Sequence, residues 1–259
     1  MLRMSRYILL LLVLTFSVPL LYTEEAVAEI AIGPLTKTTQ LKAGENSAVV
    51  YKVANRGEEP VTLNISARTW FRLEENSGIE IGDWLDLGSA KIELAAGKEK
   101  ELKFKVNVPE EAVGELAAMI YFAPKRAKEQ TIGTSYGVSL YVFIKGTEDI
   151  APEISRISID KRGDRSYLAV TIKNNGNVHF RPKINATVRL GKDLIETIEL
   201  PFGKPIFGGQ DYTFAKELNE QLPEKGICIV EVSCNYADNE NTVLNKTVNI
   251  DLAKPKELK

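Results

Sequence analysis

The sequence predicts an all-β protein built as two tandem, immunoglobulin-like antiparallel β-sandwiches. Three observations lead there. Apolar and polar residues alternate with a period of two through most of the chain beyond residue 29, which turns one face of each segment to a core and the other to water. Clusters of Gly, Pro, Asn and Asp interrupt the alternation every 8–12 residues or so. The two halves then repeat the same turn chemistry in the same order.

Residues 1–28 read as a signal peptide. Arg3 and Arg6 give a positive start, Ile8 to Leu21 an apolar run, and Ala26-Val27-Ala28 the small-x-small pattern of a cleavage site. The apolar run is shorter than the roughly 20 residues that span a bilayer, and Pro19 interrupts it. Cleavage is expected after Ala28, leaving a mature chain that starts at Glu29, has no membrane span and ends in the charged tail 254–259. The location that follows is periplasmic or cell-surface.

The first sandwich is expected over 29–146. Val49, Tyr51 and Val53 alternate with polar neighbours up to Asn55-Arg56-Gly57, as do Val61, Leu63 and Ile65, and then Leu102, Phe104, Val106 and Val108 before Pro109. Glu110 to Gly114 reads as a turn, Met119 to Phe122 as a strand closed by Pro124, and 125–135 as a loop. Tyr136 to Lys145 is the most apolar strand, with Val138, Leu140, Val142 and Ile144 on one face and Tyr141 and Phe143 on the other. A linker is expected over 147–153 and a second sandwich over 154–253. Its seven strands are placed at 154–160, 167–173, 183–190, 194–200, 212–218, 226–236 and 243–252. Burying one Val, Leu or Phe contributes about 1.5–3 kcal/mol, so a dozen per sandwich can offset the ordering entropy.

The repeat is specific in its offsets. Lys52 to Gly57 recurs as Thr171 to Gly176, and Gly97, Pro109 and Gly114 recur as Gly209, Pro223 and Gly226, at offsets of 119, 112, 114 and 112 residues. One duplicated sandwich explains that constancy.

Chemistry-bearing motifs are few. The net charge of −2 offers no electrostatic footprint for nucleic acid. The single histidine, His179, has no partner at motif spacing and is expected on a surface turn. Cys228 and Cys234 lie six apart in one strand, about 20 Å from each other, too far for a disulfide or a shared metal, and read as two buried thiols on the face of Val230 and Val232. The acids Glu74, Glu75, Glu80, Asp83 and Asp86 surround Trp84, and with Trp70 they offer a sugar-binding reading; exposed acids beside tryptophans packed over the end of the sandwich are the plainer one. No phosphate loop, dinucleotide fingerprint or metal cluster appears, so neither catalysis nor a cofactor is expected.

Ile32-Gly33-Pro34, Leu41-Lys42-Ala43-Gly44-Glu45, the strand ending Val53 to Gly57, and Ala67-Arg68-Thr69-Trp70 follow one another as strand, turn, strand and Asn turn. On these residues the stretch 29 to about 146 resembles the N-terminal domain of periplasmic pilus-assembly chaperones of the PapD type. Lys91 to Phe122, with Leu94 to Gly97 and Val108-Pro109, is also similar to the first domain of WxL-associated cell-surface proteins. Val170 to His179 makes the second half similar to generic immunoglobulin-like modules of bacterial surface proteins.

The chaperone resemblance implies a last strand that inserts alternate apolar residues into an incomplete client subunit, here Val138, Leu140, Val142 and Ile144. The same four residues also suit a core strand buried on both faces. The resemblance further implies two basic side chains that hold the client's terminal carboxylate. At the matching positions stand Thr38, with Lys37 displaced by one residue and so on the other face, and Ser139, with no basic residue before Lys145. The sequence therefore departs from the family at that clamp. The expected function is an extracytoplasmic, chaperone-like protein that binds another extracytoplasmic protein through strand edges. The alternative is a structural adaptor of the cell envelope that touches a cell-wall polymer through Trp70 and Trp84.

Overall fold

A computed structural model describes residues 30–70, 79–125, 135–237 and 242–253. The signal peptide with its cleavage point Ala28, the acids Glu74 and Glu75, most of the 125–135 loop and the charged tail lie outside the described residues.

Two immunoglobulin-like sandwiches are present, each closed around its own core. In the first, β1 (Ile30–Gly33), β3 (Asn46–Asn55), β7 (Glu99–Asn107) and β5 (Leu85–Asp86) form one sheet in the order β1-β3-β7-β5. The facing sheet joins β2 (Thr36–Leu41), β9 (Tyr136–Ile144), β8 (Glu115–Pro124), β4 (Val61–Thr69) and β6 (Lys91–Leu94) in the order β2-β9-β8-β4-β6. Pairing is antiparallel except between β2 and β9, which run parallel from Thr36 opposite Ser139 to Leu41 opposite Ile144. The chain crosses from β1 in one sheet to β2 in the other through the cis Gly33-Pro34 peptide. Tyr51, Phe104, Leu63, Ile120, Phe122, Leu140 and Ile144 fill the space between the sheets. A single helical turn, α1 (Ile81–Trp84), drops Trp84 into the same core. Glu80 and Asp83 start that turn with a reciprocal capping box.

In the second sandwich β10 (Pro152–Arg162), β11 (Arg165–Asn174) and β14 (Asp211–Glu217) form the sheet β10-β11-β14. It faces β13 (Asp193–Glu199), β12 (Lys183–Leu190), β15 (Ile227–Asn235) and β16 (Val243–Asp251) in the order β13-β12-β15-β16. All seven strands fall where alternation places them. Strand pairing starts two residues before the expected Ile154, with Pro152 opposite Asn174 and Glu153 opposite Lys173. Cys228, Val230, Val232 and Cys234 share the buried face of β15, and both thiols are free.

The repeat extends to side-chain hydrogen bonds. Asn55, at the end of β3, is buried; its Oδ1 accepts from the Gly57 N–H and its Nδ2 donates to the carbonyls of Glu59, Leu94 and Ala95. Asn174, at the end of β11, is equally buried; its Oδ1 accepts from the Gly176 N–H at 2.9 Å and its Nδ2 donates to Val178 O at 2.7 Å and Ile206 O at 2.9 Å. In each half this one amide satisfies a turn on one side and a loop of the same sandwich on the other, which is why Asn occupies the position twice. Removing Asn174 leaves the buried Val178 carbonyl and the part-buried Gly176 N–H without it and Ile206 O with only the Phe180 N–H, each stranded group costing about 1–3 kcal/mol. Asn174→Ala is accordingly expected to lower the stability of the second sandwich by about 3 kcal/mol, measured by urea unfolding. A loss below about 1 kcal/mol would mean that water replaces the amide.

Several buried groups must stay neutral for the fold to hold. Burial pushes the Cys234 thiol up to about 12, raises Cys228, carries the Tyr51 phenol well above its usual range and lifts Tyr141 to about 12. A group whose folded value is raised supports the fold below its unfolded value and loses that contribution as pH climbs towards the folded one. Stability should therefore be flat to about pH 8.5 and fall progressively above it, as the unfolded chain begins to ionise its cysteines and then its tyrosines. Thermal unfolding between pH 7 and 11 checks this. In the folded protein neither thiol should react with iodoacetamide at pH 8, whereas both should react in urea.

Candidate functional site

The groups that distinguish this chain lie where the two sandwiches meet. Gly114 ends the turn before β8 with φ +70°, and a Cβ there would collide with the Asn177 carbonyl oxygen, so glycine serves both the backbone and the close approach. Its N–H donates to Thr147 Oγ1, whose hydroxyl donates to Ile144 O. Asn177, in the turn after β11, clasps the connection between the sandwiches: Nδ2 donates to Thr147 O at 2.8 Å and Oδ1 accepts from the Asp149 N–H at 2.7 Å. The N–H groups of Asn177 and Val178 both donate to Asp149 O, and that of Asn175 to Ala151 O. Residues 147–151 are thus held by the second sandwich along most of their length.

Beside this clasp a buried carboxylate meets a histidine. Glu115 opens β8, the next residue after Gly114, and its side chain is 0% exposed. One carboxylate oxygen accepts from the His179 N–H at 2.7 Å and the other meets His179 Nδ1 at 2.6 Å. The His179 ring lies 4.2 Å from the Tyr141 ring and 5.3 Å from Phe207, centroid to centroid. Tyr141 in turn stacks on Trp70 at 5.4 Å, and Trp70 reaches Phe207 at 5.7 Å. Ala117, Tyr141 and Phe207 form a third buried cluster, separate from either sandwich core and drawn from both sandwiches. Arg181, two residues beyond His179, donates from Nη2 to the Tyr141 hydroxyl at 3.0 Å and from Nη1 to Gly203 O.

These positions revise several expectations. His179 is not a surface turn residue; its side chain is 11% exposed and bonded across the junction. The candidate edge residues Val138, Leu140, Val142 and Ile144 are all buried in the first core, and β9 is not an edge strand, because β2 hydrogen-bonds along one side of it and β8 along the other. The physical reason is that the stretch Thr36 to Leu41, too polar to be placed by periodicity, uses its backbone to close the sheet. Only Tyr136 to Val138 of β9 extend past the start of β2. Trp84 is 1% exposed inside the first core, and Trp70 is packed against Tyr141 and Phe207, so neither tryptophan presents a free ring to a sugar. The candidate carboxylates Asp83 and Asp86 are engaged locally, Asp83 with the Glu80 N–H and Asp86 with the Gly88 N–H. Sequence reasoning missed Glu115, although a lone acid at the head of the apolar run Leu116 to Ile120 is a signal for a buried, partnered carboxylate.

No family model matches the sequence, and no curated protein matches it. Solved structures do. The class 5 fimbriae chaperone CfaA is similar over 85% of this chain and 98% of its own, at 14% identity and a TM-score of 0.47. The Escherichia coli chaperone DraB is similar over 88% of this chain and 97% of its own, at 12% identity and a TM-score of 0.42. A chain of the Salmonella enterica complex of SafA pilin with the SafB chaperone is similar over 87% of this chain and 97% of its own, at 9% identity and a TM-score of 0.45. Each of these solved structures is similar to this chain across both sandwiches. At these TM-scores it is a likeness of arrangement, and the roles of individual residues rest on the geometry above.

Proposed function

We propose that this chain is an extracytoplasmic, chaperone-like binding protein that accepts an extended segment of another protein as an added strand on the outer edge of β2. The observation that carries the reading is the position of β2. It is the terminal strand of the five-stranded sheet, pairs with β9 on one side, and turns Thr36, Thr38 and Gln40 to solvent. A strand in that position presents unpaired backbone N–H and C=O groups, and a guest strand gains affinity from them without needing a deep pocket. Lys37 on the same strand discourages indiscriminate edge-to-edge association. The projecting end of β9, Tyr136 to Val138, lengthens the same edge. The solved chaperones named above are similar in overall arrangement, and the signal-like N-terminus supports export.

Site-specific photo-cross-linking in living cells tests the proposal. A benzophenone amino acid at Thr38 or Gln40 is expected to give a discrete adduct with another exported protein. The same group at Lys103, exposed on the opposite sheet, is expected to give none. Equal adducts from both faces would reject the edge. Amino-terminal sequencing of the exported chain should begin at Glu29; a cytoplasmic, unprocessed chain would reject the location.

A further inference from the structure

We infer that the second sandwich carries a binding pocket for a small organic carboxylate, centred on Arg181. The pocket has a volume of about 260 Å³ and is lined by His179, Arg181, Lys183, Phe202, Tyr236 and the Asn235 stretch. That is just below the usual range of ligand pockets, about 300–1,000 Å³, and suits only a compact ligand. Its residues belong to the second sandwich, so it is separate from the β2 edge and does not depend on strand addition.

The argument starts from charge. Arg181 is half-buried, and it donates hydrogen bonds to two neutral oxygens, the Tyr141 hydroxyl and the Gly203 carbonyl. Among the described residues no carboxylate pairs with it. Glu115, the acid at this junction, has both oxygens engaged by His179. A half-buried guanidinium bonded to neutral oxygens keeps donors for an anion supplied from outside. The two neutral bonds fix the plane of the guanidinium and leave hydrogens on Nη1, Nη2 and Nε. A planar guanidinium held in this way matches the fork of a carboxylate.

The rest of the lining fixes what carries the carboxylate. His179, Arg181 and Lys183, on the connection into β12 and at its first residue, all line the pocket, while Phe180 and Ile184 between and after them turn into the core. Lys183 lies 5.7 Å from the Phe202 ring centroid and adds positive potential. Phe202 is 58% exposed, far more than its neighbours Leu200 and Ile206 in the core, and Tyr236 closes the other wall. One cationic end and two aromatic walls call for an aryl or alkyl carboxylate. A free organic acid and an acidic side chain flanked by an aromatic residue share that chemistry.

Nuclear magnetic resonance titration of the mature, isotope-labelled protein tests the inference. Benzoate is expected to shift the amides of residues 179–183, 202 and 235–237 saturably, with Kd in the millimolar range or tighter, while benzamide, of the same shape without the charge, shifts none of them. Arg181→Gln is expected to weaken benzoate at least tenfold, and Phe202→Ala, which removes an exposed ring and leaves the fold intact, several-fold. A blocked Phe-Glu dipeptide amide binding more tightly than benzoate would assign the site to a protein partner; the reverse would assign it to a free acid. Equal binding of benzamide, equal response to inorganic phosphate, or unchanged affinity in both the Arg181→Gln and Phe202→Ala proteins would overturn the carboxylate site.

Discussion

Leu140→Lys is expected to unfold the first sandwich outright. Leu140 is fully buried at the centre of β9, between Lys37 of β2 and Ala118 of β8 in register. Truncating such a leucine costs about 2–5 kcal/mol. An ammonium group placed in the same space meets Leu63, Ile120 and Phe122 instead of a carboxylate, and an unpaired buried charge adds several kcal/mol more. The sum rivals the whole stability of a typical domain, about 5–15 kcal/mol. Circular dichroism and proton spectra of the variant should show loss of the first sandwich's dispersed signals at 25 °C. Thr38→Lys, two positions into the exposed side of β2, is the control and should stay within about 0.5 kcal/mol of the parent. A Leu140→Lys protein that unfolds cooperatively near the parental midpoint would mean that β9 opens to solvent, and would return the partner-binding role to Val138, Leu140, Val142 and Ile144.

The contrast between β9 and β2 shows how far the sequence could be read. Apolar residues on both faces of Tyr136 to Ile144 announced a strand covered on both sides, but a period of two cannot say whether the covering strand belongs to the chain or to a guest. The answer lay in Thr36 to Leu41, where Thr, Lys and Gln carry no alternation and the contribution is made by the backbone. The seven strands of the second sandwich, the buried pair Cys228 and Cys234, and the duplicated turns were legible because each depends on neighbours within a few residues. Even Asn55 and Asn174 were visible as a repeat, although their shared hydrogen bonds were not. The junction was illegible for the opposite reason. Glu115 and His179 are 64 residues apart and meet only when two separately folded sandwiches dock. Trp70, Tyr141 and Phe207 likewise come from three different segments, and nothing local distinguishes them from ordinary core aromatics.

Glu115→Ala is expected to uncouple the two sandwiches while leaving each one folded. The carboxylate contributes to neither sandwich core; its bonds run to His179, so its removal falls on the junction. The His179 N–H then loses its acceptor and Nδ1 its partner. Losing a charge-assisted bond and stranding its partner costs about 2–4 kcal/mol. Glu115→Gln keeps an oxygen for the His179 N–H and should lose about half as much. The clasp of Asn177 on Thr147 and Asp149 remains in both variants, so the connection stays tethered while its angle is freed. Residual dipolar couplings should fit one rigid orientation in the parent and require averaging in Glu115→Ala, and calorimetry should separate into two transitions. His179→Ala ought to reproduce the effect, and the double variant should add little beyond either single change, since both remove the same pair. Strictly additive losses, or dipolar couplings that still fit one orientation in Glu115→Ala, would show that the aromatic cluster and the Asn177 clasp hold the junction without the Glu115–His179 contact. A fixed angle matters for the proposed function because the β2 edge belongs to one sandwich and the Arg181 pocket to the other. A partner that engages both needs the two at constant separation, so Glu115→Ala should weaken such a partner while leaving the β2 edge itself unchanged.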